Sequence, residues 1–193
     1  MPSEKEQPTT IYEIKITLNG SKPPIWRRVH VSADITLLKL HRVIQESMGW
    51  TDSHLHQFVI GNNSYKIRDA NADFGTDGSS RNERTYRLRR VVPDDGFRFR
   101  YDYDFGDNWK HSLVVERILA PESGAKYPRC MAGARACPPE DVGGVYGYAE
   151  FLVALQDRNH PAHEEMSEWV GRKFDPEEFD LAMTNQILHQ LFR

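Results

Sequence analysis

From Phe97 to Phe105 aromatic and charged residues alternate without a break. Phe97, Phe99, Tyr101, Tyr103 and Phe105 fall on one face of an extended strand, and Arg98, Arg100, Asp102 and Asp104 on the other. A period of two with chemically distinct faces specifies a half-buried β-strand. A wall of five rings must be covered by a second layer, so the chain has to fold as a sheet with something packed on it. Trp109 to Leu119 is the natural hairpin partner. With Phe105 to Asn108 as the loop, Asp104 faces Trp109 and Asp102 faces His111 across the pair, about 5 Å apart at Cβ.

Other elements follow from the same kind of pattern. Ile11 to Leu18 alternates and is rich in β-branched residues, Asn19-Gly20 turns, and Ile25 to Val31 returns as an antiparallel partner. The Ser32-Ala33-Asp34 segment offers an N-cap for a helix carrying Leu37, Leu40, Ile44 and Met48, closed by Gly49. Leu55 to Ile60 and Tyr65 to Ile67 are strands around a Gly61-Asn62-Asn63 turn. The first 70 residues therefore read β-β-α-β-β, an order like that of the β-grasp arrangement. Ala70 to Asn82 reads as a surface loop, and Leu88 to Val92 as a short strand or a helical turn. Glycine and proline dominate up to Gly147. Beyond it come three helices: one with Tyr148, Phe151, Leu152 and Leu155, one from Pro161 to Val170, and one capped by Asp175 with Pro176 at its first position. The expected class is α+β, with a tail over 1–9 that is disordered and a single domain over 10–193, helical from about residue 145.

Charge is unevenly placed. The net charge is −3, yet residues 81–100 carry Arg81, Arg84, Arg87, Arg89, Arg90, Arg98 and Arg100 against Glu83, Asp94 and Asp95, while residues 138–193 are strongly acidic. These are either solvated faces or an anion-binding face and its counterpart. Arg27, Arg28, Arg98 and Arg100, interleaved with Trp26, Phe97 and Phe99, are the candidate anion-binding residues. The alternation puts the rings in the core and the arginines at the surface. Mean hydropathy is −0.65, and no run reaches the ~20 apolar residues of a membrane span. The polar first nine residues lack an apolar leader, so the expected compartment is the cytosol. There the two cysteines stay reduced.

Three segments carry potential chemistry. In Tyr101 to His111, an aspartate beside a histidine can orient an imidazole or hold a metal, although an Asp-rich loop is also ordinary turn chemistry. His54 and His56, two apart on a strand, share a face and supply two metal ligands where zinc needs three or four. His54, His56, Asp102, Asp104 and His111 thus form the candidate set for a divalent metal, zinc or manganese. In Cys130 to Gly144, the six-residue gap between Cys130 and Cys137 is wide for a zinc knuckle, and Glu140 and Asp141 suit the first turn of a short helix. Asp107, Trp109, Cys130, Cys137, Glu140 and Asp141 are the remaining polar candidates. No Gly-x-Ser-x-Gly, phosphate-binding glycine loop or His-Glu-x-x-His is present.

Together, Pro23-Pro24-Ile25-Trp26-Arg27-Arg28, Gly49-Trp50 through Phe58, Tyr101 to His111, and Ala136-Cys137-Pro138-Pro139-Glu140-Asp141-Val142-Gly143-Gly144 resemble the plasmid pRiA4b ORF-3-like family, over roughly residues 10 to 190. The resemblance implies an α+β fold and a cytosolic prokaryotic protein. It carries over no catalytic residue. Some members of that family are labelled resolvase-like or are joined to a DNA-binding domain, but this chain has no supported nucleophilic serine and no basic tail. The expectation is a non-enzymatic binding module whose partner is a protein or nucleic acid, with a link to mobile-element or DNA-associated processes. The alternatives are a metal-dependent hydrolase using the His/Asp cluster with Glu140 or Asp141 as acid–base, and a structural zinc held by Cys130, Cys137 and a histidine. The oligomeric state is left open.

Overall fold

The structure is a computed structural model that describes residues 10–67, 80–171 and 173–192. The expected tail over 1–9 lies outside the described residues. So does the expected loop up to residue 79.

The described residues form one eight-stranded sheet and five helices. In chain order they are β1 (Ile11–Leu18), β2 (Trp26–Ser32), α1 (Leu37–Met48), β3 (His56–Ile60), β4 (Asn63–Lys66), β5 (Ser80–Asn82), α2 (Leu88–Val91), β6 (Arg98–Tyr103), β7 (Trp109–Leu119), β8 (Arg129–Ala134), α3 (Gly144–Gln156), α4 (His163–Val170) and α5 (Leu181–Leu191). The strand order is β5-β4-β3-β6-β7-β1-β2-β8. Neighbours are antiparallel, except that β4 and β5 run parallel.

The class is α+β, and the β-β-α-β-β order is present, but the sheet is not a β-grasp sheet. The β6–β7 hairpin inserts between β3–β4 and β1–β2. Phe99, Tyr101 and Tyr103 of the aromatic wall are buried in the middle of the sheet, with His41 and Gln45 of α1 on the Tyr101 hydroxyl, whereas Phe105 falls in the loop after β6 and is exposed, contrary to the five-ring expectation. β1 lies between β2 and β7 and has no free edge for another chain. Two strands escaped the sequence reading. β8 is built from a small-residue run without alternation, and β5 is the end of the segment expected to be loop.

Local chemistry sets the helix ends. Thr36, not Ser32 or Asp34, caps α1 by accepting from the Lys39 amide at 3.3 Å. Gly49 closes it at φ 95°, a left-handed value that suits glycine. Of the two readings for residues 88–92, the helical turn α2 is the one found. Asp175 and Pro176 form a turn, and α5 starts later, where the Asp180 carboxylate accepts from the Met183 amide at 2.8 Å. No helix among the described residues is long and apolar enough to cross a membrane.

One face of the sheet carries the core, and α1 lies on it through Leu37, Leu40, Val43, Ile44 and Met48, all buried. Arg27 is buried there too, at 2% exposure. Its guanidinium donates to the carbonyls of Ser47, Trp26, Ala134 and Arg135 at 2.7–2.9 Å and stacks on Phe179 at 4.0 Å. It ties α1, β2, β8 and the segment before α5 together, so it is no anion site. Trp26 takes the other face, between Lys15 and Arg28. The expected ring-inside, arginine-outside order is thus reversed at Trp26-Arg27. It holds at Phe99, which is buried between exposed Arg98 and Arg100. At the β8 edge, the Asn185 side chain of α5 accepts from the Cys130 amide at 2.8 Å and donates to the Cys130 carbonyl at 2.9 Å.

Candidate metal centre at the junction of three loops

Three connections meet at one end of the sheet: residues 49–55 after α1, residues 104–108 between β6 and β7, and residues 135–143 before α3. Their meeting is written into the β6–β7 register. Tyr103 pairs with Trp109, Asp102 with Lys110 and Tyr101 with His111. The loop is one residue longer than the four-residue turn expected, and that single step moves side chains to the opposite face. His111 therefore sits in the core among the rings, opposite Tyr101, and Asp102 lies on the outer face against Arg100 and Gln57. The added loop residue is Asp104, at φ 53°, and Asn108 closes the loop at φ 60°. Both are residues that tolerate the left-handed region. The Asp104 carboxylate accepts from the Gly106 amide at 2.8 Å.

A polar brace fixes the other two loops. Trp50 donates its indole N–H to the Pro138 carbonyl at 3.0 Å and stacks on Tyr103 at 5.1 Å. The Tyr103 hydroxyl accepts from the amides of Ser53 and His54 at 3.0 and 3.3 Å and donates to Glu140 Oε1 at 2.5 Å. Burial and the Glu140 carboxylate push the Tyr103 hydroxyl well above its ordinary range. The other Glu140 oxygen accepts from the Thr51 amide and hydroxyl at 3.0 and 2.5 Å. Asp107 accepts from the Gly143 amide at 3.0 Å. Gly144 has φ 69°, and a Cβ there would lie 2.5 Å from the Asp107 carbonyl oxygen, so only glycine allows this approach.

The brace brings His54, Asp104 and Asp141 together, one from each loop. One ligand atom from each lies within 4.8 Å of the others. His54 Nε2 is 3.1 Å from Asp141 Oδ1, in a geometry that makes no hydrogen bond, and His54 Nδ1 is 3.8 Å from Asp104 Oδ2. Asp104 is buried, His54 partly so, and Asp141 is exposed. An imidazole with two carboxylates suits zinc or manganese.

Of the expected ligands, His54 and Asp104 meet, joined by Asp141. His56 does not share their surroundings, because β3 begins at His56 and the two-residue strand period does not extend back to His54. Instead His56 donates Nε2–H to both Glu83 oxygens at 2.9–3.0 Å and stacks on His41 at 3.5 Å. His41 donates Nε2–H to Asp52 at 2.8 Å and accepts from the Tyr101 hydroxyl on Nδ1 at 2.7 Å. Gln45 donates to that hydroxyl at 2.8 Å. Burial holds the His41 imidazole neutral, down to about 2, and raises Asp52. Sequence reasoning missed His41, Asp52, Glu83, Tyr103 and Thr51. The signal for the first was a histidine and a glutamine, His41 and Gln45, inside the apolar stripe of α1.

The remaining candidates lie apart. His111 is fully buried, and neither ring nitrogen has a hydrogen-bond partner. Burial depresses it to about 4. Trp109 is likewise a core ring. Arg28 pairs with Glu116 at 2.6 Å and Arg100 with Asp102 at 2.7 Å. The thiol of Cys130 lies 3.5 Å from the carbonyls of Arg28 and Ala132, and burial raises it. Burial also raises Cys137. Among the described residues, neither cysteine belongs to a group of three possible metal ligands.

Comparison with known proteins matches a family model, the plasmid pRiA4b ORF-3-like protein, over residues 10–183. The uncharacterized protein y4hQ of Sinorhizobium fredii is 40% identical over 177 residues, which is 91% of this chain and 87% of that protein. The crystal structure of protein of unknown function MM3350 from Methanosarcina mazei Go1 is similar with a TM-score of 0.81 at 36% identity, covering 91% of this chain and 97% of that one.

Proposed function

This chain belongs to the plasmid pRiA4b ORF-3-like family, and from that premise we propose that it is a binding module built around a divalent cation held by His54, Asp104 and Asp141. The observation that carries this reading is the convergence of one imidazole and two carboxylates, within 4.8 Å of one another, from three separate loops. Zinc bonds of ~2.0–2.2 Å ask that both carboxylates close on one nitrogen of the His54 ring. Three protein ligands leave positions open, and these would take an oxygen of the protein or nucleic-acid partner. Titration of chelator-treated protein with Zn²⁺ or Mn²⁺ tests this reading. Saturable binding with a rise in melting temperature is expected; a site at 100-fold excess over Kd adds about 2.7 kcal/mol. His54→Ala and Asp104→Asn should abolish the rise. No binding by the unaltered chain overturns the proposal.

A second reading, a metal-dependent hydrolase, is favoured by the Tyr103–Glu140 hydrogen bond of 2.5 Å beside the cluster. A cation with open positions supplies an activated water, and Tyr103 holds a proton next to it. Metal-dependent turnover of phosphate or carboxylate esters that is lost in Tyr103→Phe, while metal affinity is kept, would select this reading.

A further inference from the structure

The seven arginines between residues 81 and 100 are all exposed, and two of them line a cavity. Arg81 of β5 and Arg90 of α2 meet Asn63, Tyr65, Tyr86 and Phe97 around a volume of about 330 Å³. That is the lower end of the ~300–1,000 Å³ typical of small-ligand sites. Among the described residues, none that lines it carries a carboxylate. Arg81 is held in place before any ligand arrives. It donates Nε–H to Asn63 Oδ1 at 3.1 Å and Nη1–H to the Tyr86 hydroxyl at 3.0 Å, with its guanidinium 5.7 Å from the Tyr86 ring. Tyr86 is itself fixed edge-to-face on Tyr65 at 5.0 Å. A guanidinium has five N–H donors in a rigid fork that matches phosphate. Among the described residues, two of them serve the brace and the others have no partner.

We propose that this cavity is a binding site for a nucleobase-linked phosphate, with Arg81 and Arg90 on the phosphate and the aromatic side chains beside the base. The reasoning is chemical. Two guanidinium groups, with no carboxylate among the described lining residues, select an anion. Half-buried Tyr86 and Phe97 add ring surface, which an inorganic anion does not need and a base uses at ~1–3 kcal/mol per stack. The same chemistry comes from a free nucleotide or from one residue of a single-stranded nucleic acid. The cavity lies at the Ile60–Gly61 end of β3, whereas His54 precedes its other end. At ~3.3 Å per residue the strand separates the two sites by roughly 15–20 Å, so this site does not depend on the metal.

The test is binding of the full chain, in EDTA, to adenosine monophosphate, adenosine, inorganic phosphate, a 15-nucleotide oligo-dT and polyglutamate. The monophosphate should bind at least 10-fold more tightly than either adenosine or phosphate. Arg90→Ala, whose side chain is exposed, should weaken binding at least 10-fold with an unchanged melting temperature. Arg81→Gln is a second variant with the same expectation for binding. An oligomer bound over 100-fold more tightly than the monophosphate, with affinity falling steeply with salt, identifies a strand as the source. Equal affinities identify the free nucleotide. The proposal is overturned by phosphate binding as well as the monophosphate, by polyglutamate binding as well as the oligomer, by no binding at all, or by binding that both variants leave intact.

Discussion

His111 shows what a single buried polar residue costs and when. Its ring is fully enclosed, and burial lowers its proton affinity from an ordinary 6.5 to about 4. In the unfolded chain the same ring takes up a proton below 6.5. Between those two values the unfolded state binds more protons than the folded one, so stability is complete above pH 6.5 and falls as pH drops toward 4. The span corresponds to a loss on the order of 2–3 kcal/mol between pH 7 and pH 4.5 from this residue alone. His41, depressed for the same reason, adds to the fall. Urea unfolding at the two pH values should show the loss, and His111→Phe should reduce it by about that amount. A variant with an undiminished pH dependence would mean that the ring is not held neutral. Arg27 carries the complementary lesson. It is a cation buried by carbonyl oxygens rather than by a carboxylate, which is why its neighbours in sequence gave no hint of its role.

Among elements, the loops decide the site and the strands decide the fold. Gly147 lies in the first turns of α3, where alanine is ordinarily better than glycine by ~1 kcal/mol. Here a Cβ would sit 2.0 Å from the Val142 carbonyl oxygen. Gly147→Ala should therefore destabilise the chain by about 1–3 kcal/mol, as overpacking does, and thermal unfolding gives the sign directly. It should also weaken metal binding, because Val142 follows Asp141. The strands β1, β2, β3, β6 and β7 and the stripe of α1 were legible, since each has a period of two or 3.6. β8 was not, because Cys130 to Ala134 has small residues where a pattern would need large ones. At the site, His54, Asp104 and Asp141 each stood out as polar residues in turn-rich segments. His54 and Asp104 were grouped, with Asp141 beside them as an acid–base; that His56, Asp102 and His111 fall away from them was hidden, because it depends on a five-residue hairpin loop and on where β3 starts. Neither boundary has a signature in composition.

The whole molecule is electrically lopsided. The arginines of β5, α2 and β6 lie toward one end of the strand order. The carboxylates of α4 and of residues 175–180 belong to the helical part that packs through α5 on β8, at the other end. A net charge of −3 is therefore the sum of two regions of opposite sign. The edges differ as well. β5 is three residues long, too short to template another strand effectively. β8 is six residues long, with one side turned away from β2. There the Asn185 carboxamide offers Cys130 the same acceptor and donor that a neighbouring strand would. Replacing it with a leucine of similar size would leave both backbone groups of Cys130 seeking partners, at about 1–3 kcal/mol per unsatisfied group. A second molecule could satisfy them. Asn185→Leu should elute partly as dimers and larger species on size-exclusion chromatography with light scattering, with the share growing with concentration. A protein that stays wholly monomeric after this change would show that the carboxamide is dispensable. With both groups of Cys130 occupied by one carboxamide, Asn185 is placed as a colloidal safeguard, a single amide in a helix standing between this edge and a neighbouring copy in a crowded solution.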